Sequence, residues 1–170
     1  PDFATPYEKA GLEAKGLADL INGLRKIAPD SPVDVVAHRL GARVALMAVH
    51  RARSKMWRRL LLSNAFEYSA RTLAALDCPM GRHLDCHNLI MKNNNITAFF
   101  FDRLGPKPGP ADRAICFGYK FAHANWSEVP DNSQAATDLM LDMGANTFAF
   151  NTPAPNRVFQ YLQGQGLVQQ

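Results

Sequence analysis

No stretch of this 170-residue chain approaches the ~18 consecutive apolar residues of a membrane span, so a membrane-crossing helix is not expected. The opening Pro1-Asp2-Phe3-Ala4 has neither the basic region nor the apolar run of a signal peptide, and it lacks an initiator Met, which suggests a processed or partial chain. Cysteine is scarce. Cys78, Cys86 and Cys116 are an odd number without the density of a disulfide scaffold, so a reducing compartment is the simpler reading and the cytoplasm the expected location. Internal repeats and low-complexity tracts are absent, which removes solenoids and biased disordered segments. Charge of one sign is also lacking: 19 Lys and Arg against 15 Asp and Glu leave +4, a weak preference for anionic partners that identifies none. What is present, 47% hydrophobic and 20% charged residues, is the make-up of an ordinary globular protein. The length suits one compact domain over residues 1–170.

Thr5-Pro6-Tyr7-Glu8 reads as a capping box with Pro at the first helical position, predicting a helix to about Ala28. Leu17, Leu20, Ile21, Leu24 and Ile27 give that helix an apolar stripe. Pro29-Asp30-Ser31-Pro32 breaks it, and Val33-Asp34-Val35-Val36-Ala37 predicts a strand. A helix from Gly41, a buried strand at Leu60-Leu61-Leu62-Ser63, a helix over Tyr68 to Leu76, a strand from His87 to Met91 and a helix from Asn95 to Leu104 follow. Further helices are expected at Gln134 to Asp142 and Pro155 to Leu162, with a last strand at Thr147 to Phe150. Gly105-Pro106-Lys107-Pro108-Gly109-Pro110 opens a long irregular loop over 105–133. The alternation predicts an α/β fold, a mostly parallel sheet with helices on both faces.

The most informative arrangement is a strand, then Ala37-His38-Arg39-Leu40-Gly41-Ala42, then an apolar helix. It resembles the nucleophile elbow of the α/β-hydrolases, of esterase and lipase type, in which Gly-x-Ser-x-Gly forms a sharp strand-to-helix turn. Ala37 and Gly41 stand at the small flanks, and His38 and Leu40-Gly41 match the common His-Ser-Leu-Gly form. Arg39 stands where the family has its serine, and a guanidinium cannot be an acyl-accepting nucleophile. Downstream, Asn88-Leu89-Ile90-Met91-Lys92-Asn93-Asn94-Asn95-Ile96 resembles the strand and loop that present the triad acid, with Asn95 at the acid position. No histidine follows His123, and Asn146 aligns with the catalytic histidine. Neither amide can do the work of the group it replaces.

The resemblance covers the later part of the hydrolase fold, from the helix before the elbow strand onward. It implies a partial fold without the N-terminal strands and without one oxyanion-hole loop, leaving the Leu40 amide as the remaining donor, next to His38. The elbow strand would then be an open edge, covered by a homodimer or by a missing N-terminal segment. The implied protein is a catalytically impaired hydrolase, a pseudoenzyme binding a small-molecule ester or an anionic ligand, with no cofactor and no metal. Two alternatives stay open. One is an active acyl-ester hydrolase working by an unconventional route through His38 or a nearby cysteine. The other is a basic binding module for anionic ligands or, less favoured, nucleic acid.

Other constellations carry less. Cys78, His83, Cys86 and His87 lie close together, but their order matches no zinc spacing. Arg51, Arg53, Lys55, Arg58 and Arg59 crowd the end of the second helix, where cations complement the macrodipole. Asp112, Arg113, His123, Trp126 and Glu128 are candidates for lining a pocket near the elbow. Asp34, Asp77 and Asp85 read as turn or strand-edge residues.

Overall fold

The computed structural model describes residues 2–53, 56–90 and 96–144. In chain order the elements are α1 (Ala4–Ile27), β1 (Val33–His38), α2 (Leu40–Val49), β2 (Trp57–Ser63), α3 (Ser69–Asp77), β3 (Asp85–Ile90), α4 (Ile96–Leu104), β4 (Trp126–Pro130) and α5 (Gln134–Asp142), with short 3₁₀ turns at Gly81–His83 and Ile115–Phe117. The four strands form one sheet in the order β1-β2-β3-β4, and every pairing is parallel. The α/β class and the parallel sheet expected from the alternation are therefore present. Among the described residues no helix is long and apolar enough to cross a membrane.

The strand β2 shows why the sheet is covered on both faces. Leu60, Leu61 and Leu62 are all fully buried, and successive strand residues point to opposite faces. Register places Val35, Leu60, Cys86 and Trp126 in one row, packed with Ala14, Ala18 and Ile21 of α1 and with Ala42, Ala45 and Leu46 of α2. Leu61 points the other way and packs with Val36, Leu89, Val129 and with Ala136 of α5. Burying each leucine contributes about 1.5–3 kcal/mol. Alanine at the α1 and α2 contact positions leaves little side chain between them, which lets α1 lie close over α2. A third cluster, Tyr7, Phe66, Tyr68, Ala98, Phe101, Ala114 and Cys116, stacks Phe101 between Phe66 (ring centroids 4.8 Å apart) and Tyr68 (4.9 Å) and takes in the Leu40 side chain.

Three of the differences from the sequence reading have a local physical cause. The first helix starts at Ala4 with Phe3 as its cap residue, not at a Thr5 cap, because the Asp2 carboxylate already accepts the Thr5 amide (3.2 Å). Pro6 still falls among the first residues, whose amides have no intrahelical acceptor. The span 105–133 is not irregular throughout: it ends in β4, whose Glu128 and Pro130 dilute the apolar pattern that marks a strand. β2 also begins earlier, at Trp57, whose buried indole N–H donates to the Arg59 carbonyl (3.1 Å). The strand expected at Thr147 to Phe150 and the helix expected from Pro155 lie outside the described residues.

Candidate functional site at the strand-to-helix turn

All four strands run the same way, so their carboxyl ends share one edge, the edge where open α/β sheets bind ligands. The turn from β1 into α2 stands there. Arg39 occupies it with φ 50° and ψ −121°, a combination that presses Cβ against the backbone and that L-residues seldom adopt. Three backbone hydrogen bonds hold it. The Arg39 amide donates to the Ser63 carbonyl (3.1 Å), and its own carbonyl accepts from the amides of Ala42 (3.0 Å) and Phe66 (3.1 Å). The Arg39 side chain is exposed. Ala37 is buried beneath the turn, and a Cβ built on Gly41 would lie 4.0 Å from the Ala37 Cβ. That is ordinary contact, so the turn needs small flanks without needing glycine at Gly41.

Leu40 is the first residue of α2. The leading amides of a helix have no intrahelical acceptor, so its N–H and that of Gly41 are directed toward any anion at this end. Burial first, and the Arg39 charge second, hold the His38 imidazole below its ordinary value, so it is neutral at neutral pH. Thus His38, Arg39 and Leu40 are brought together. Asn95 and Asn146 lie outside the described residues.

Register adds a residue that the sequence reading missed. His38 pairs with Ser63, the last residue of β2, and the Arg39 amide bonds the Ser63 carbonyl, so Asn64, the residue just after the strand, stands beside Arg39. Asn64 has φ 48°, is 2% exposed, and neither its side-chain oxygen nor its nitrogen has a partner among the described residues. A buried amide left without partners costs roughly 1–3 kcal/mol. The two non-glycine residues of positive φ among the described residues are therefore neighbours at one sheet edge. Asn one residue beyond the buried Leu60-Leu61-Leu62 run, among the non-glycine types most tolerant of positive φ, was the available signal.

Behind the turn lies a buried ionic network. Arg43, one turn along α2, donates to Glu67 (3.0 Å) and to the Tyr7 carbonyl (2.6 Å), and its guanidinium lies 3.7 Å from the Tyr7 ring centroid. The Tyr7 hydroxyl donates to Glu67 and accepts from Arg71, while the Tyr68 amide donates to Glu67 (2.8 Å). Glu67 is fully buried. Gly11 makes room for this arrangement, since a Cβ there would come within 2.9 Å of the Arg43 Nη2. The network ties α1 to α2 and to the segment after β2, fixing the scaffold under the turn.

The remaining sequence candidates are divided between the two edges of the sheet. His123 contacts Asp77 (3.0 Å) and Asn125 (2.7 Å), and Asn125 in turn caps the start of β3 and β4, at the amino ends of the strands. Trp126 is buried with its N–H on the Tyr119 carbonyl (3.1 Å), Glu128 accepts from the Tyr119 amide, and Asp112 serves Ser69 and the Ala70 amide (3.1 Å). Arg113 pairs with Asp102 (3.2 Å). These residues therefore do not share one pocket: Asp112 and Arg113 meet the start of α3, which follows the carboxyl end of β2, whereas Trp126 opens β4 at the opposite end. Cys86 is buried in β3 and His87 bonds Ser127 (2.7 Å); among the described residues no group of His, Cys, Asp and Glu could hold a metal ion. Cys116, the cysteine packed nearest Leu40, has its thiol pushed up to about 12, chiefly by burial, so it stays protonated and unreactive at neutral pH. Of the basic run, Arg58 and Arg59 are neutralised by Asp34 (2.7 and 2.6 Å), and Arg59 also pairs with Asp142.

Comparison with family models, with curated proteins and with solved structures finds no match to this chain.

Proposed function

We propose that this chain is an α/β-hydrolase-like protein of esterase or lipase ancestry in which the elbow has been turned from catalysis to binding. The observation that carries the reading is the strained backbone at Arg39, held at the turn between β1 and α2 by hydrogen bonds that also fix the neighbouring loop. A non-glycine residue in such a conformation costs about 1–3 kcal/mol and persists where the surrounding structure enforces it, most often at functional sites. A serine there would present its hydroxyl above the sheet; an arginine presents a permanent cation beside open helix amides. Together these groups suit a carboxylate or a phosphate monoester, the product or mimic of the ester that an active elbow would cleave.

The test is hydrolysis of short and medium acyl esters by the unmodified protein, Arg39→Ala and Arg39→Ser, with melting temperatures recorded in acetate, longer carboxylates and phosphate. The expectation is no turnover by the unmodified protein and an anion-dependent stabilisation that Arg39→Ala abolishes. Turnover by the unmodified protein, altered in Arg39→Ala, would overturn the proposal. It would favour an acyl-ester hydrolase in which the neutral His38 activates water beside the Leu40 amide, a route that leaves a pH profile falling as that imidazole protonates.

A further inference from the structure

The opposite edge of the sheet, where the strands begin, carries a concentration of cations. α1 ends with Arg25 and Lys26, and Arg51 and Arg53 follow α2. All four are exposed, and none forms an ion pair with a described residue. Helix macrodipoles account for part of this. Two helix C-termini offer about half a negative charge each. Those half-charges and the Asp30 carboxylate still leave roughly two positive charges uncompensated. Arg58 and Arg59 do not add to that excess, since Asp34 and Asp142 neutralise them.

The cations line grooves. One, of about 590 Å³, is bordered by Arg25, Arg53 and Arg58, and a second, of about 730 Å³, shares Arg25 and Arg53 and adds Lys26 and Arg51. Both fall in the size range of small-molecule sites. The wall is held in place, because the Asn22 side chain on α1 accepts the Arg53 backbone amide (2.9 Å), one turn from Arg25. Among the described residues no Phe, Tyr or Trp lines either groove, and the ring present is the small His50 imidazole of the second, a poor platform for stacking successive nucleobases. We infer that these joined grooves bind a chain of at least two linked phosphates through Arg25 and Arg53, with Lys26 and Arg51 beside them. Planar guanidiniums suit that ligand because each matches two phosphate oxygens at once.

Calorimetric titration of the whole chain with orthophosphate, pyrophosphate and tripolyphosphate tests this. Affinity should rise at least about tenfold from the first to the last, each tenfold being about 1.4 kcal/mol, and should fall with added salt. The double variant Arg25→Ala/Arg53→Ala, both positions exposed, should keep its circular dichroism and lose most of the tripolyphosphate affinity. Arg39→Ala should retain that affinity, which separates this site from the elbow. Vesicles containing a phosphoinositide bisphosphate distinguish a lipid headgroup from a free polyphosphate as the source. Equal affinity for the three phosphates, or unchanged binding by the double variant, would overturn the inference. So would an RNA oligonucleotide that binds more tightly than tripolyphosphate through the same two arginines, which would reassign the surface to nucleic acid.

Discussion

Replacing Arg39 by glycine and, separately, by alanine measures the strain at the strand-to-helix turn directly. Both variants lose the same guanidinium, and only alanine keeps a Cβ. At φ 50° and ψ −121° glycine sits in an allowed region, the mirror image of ordinary extended backbone, whereas any Cβ meets the chain. Relief of strain is worth about 1–3 kcal/mol. Against this, glycine gives the unfolded chain more freedom and forfeits about 0.5–1 kcal/mol. At the middle of these ranges Arg39→Gly should therefore be more stable than Arg39→Ala by about 1 kcal/mol, or roughly 2–4 °C in melting temperature for a domain of this size. Urea unfolding of the two variants, with equal m-values, gives the difference. An alanine variant as stable as the glycine variant, or more so, would show that no strain is stored at the turn, and the elbow reading would lose its principal support.

Glu67→Gln should destabilise the protein by about 3–5 kcal/mol, since it leaves the buried Arg43 guanidinium without its carboxylate; urea denaturation measures it. Acid should weaken the fold in a defined window. Burial alone would raise the Asp34 carboxyl, but hydrogen bonds from Arg58 and Arg59 outweigh it and hold it at about 2, against an ordinary 3.8. The unfolded state then binds the proton first, so this contribution is intact above about pH 4 and is lost as pH falls toward 2. Stability measured against pH should decline less over that interval in Asp34→Asn, and an unchanged slope would refute the assignment.

The strand-to-helix turn was legible because it is local. A β-branched run, a short turn with Ala37 and Gly41, and an apolar helix are fixed by neighbouring residues, and the structure keeps all three. The basic run at Arg51 to Arg59 was legible only as a count of charges. Its division into a neutralised half, Arg58 and Arg59, and an open half, Arg51 and Arg53, depends on Asp34 and Asp142 arriving from other elements. β4 was hidden inside a proline-rich stretch because its pairing with β3, not its own apolar pattern, makes it a strand. The expected pocket of His123 and Trp126 beside the elbow failed for the same reason, since strand direction sends those residues to the far edge.

By itself the sequence determined the alternation of helices and strands through α4, the parallel sheet buried on both faces, and the strand-to-helix turn bearing Arg39. These follow from periodicity and turn chemistry, which act over a few residues. Only the tertiary structure decided which distant residues meet. Register set Asn64 beside Arg39, packing of α1 on α2 buried Glu67 with Arg43 and Tyr7, and the ends of two helices brought Arg25 next to Arg53. Such contacts join positions tens of residues apart, and no local pattern encodes them.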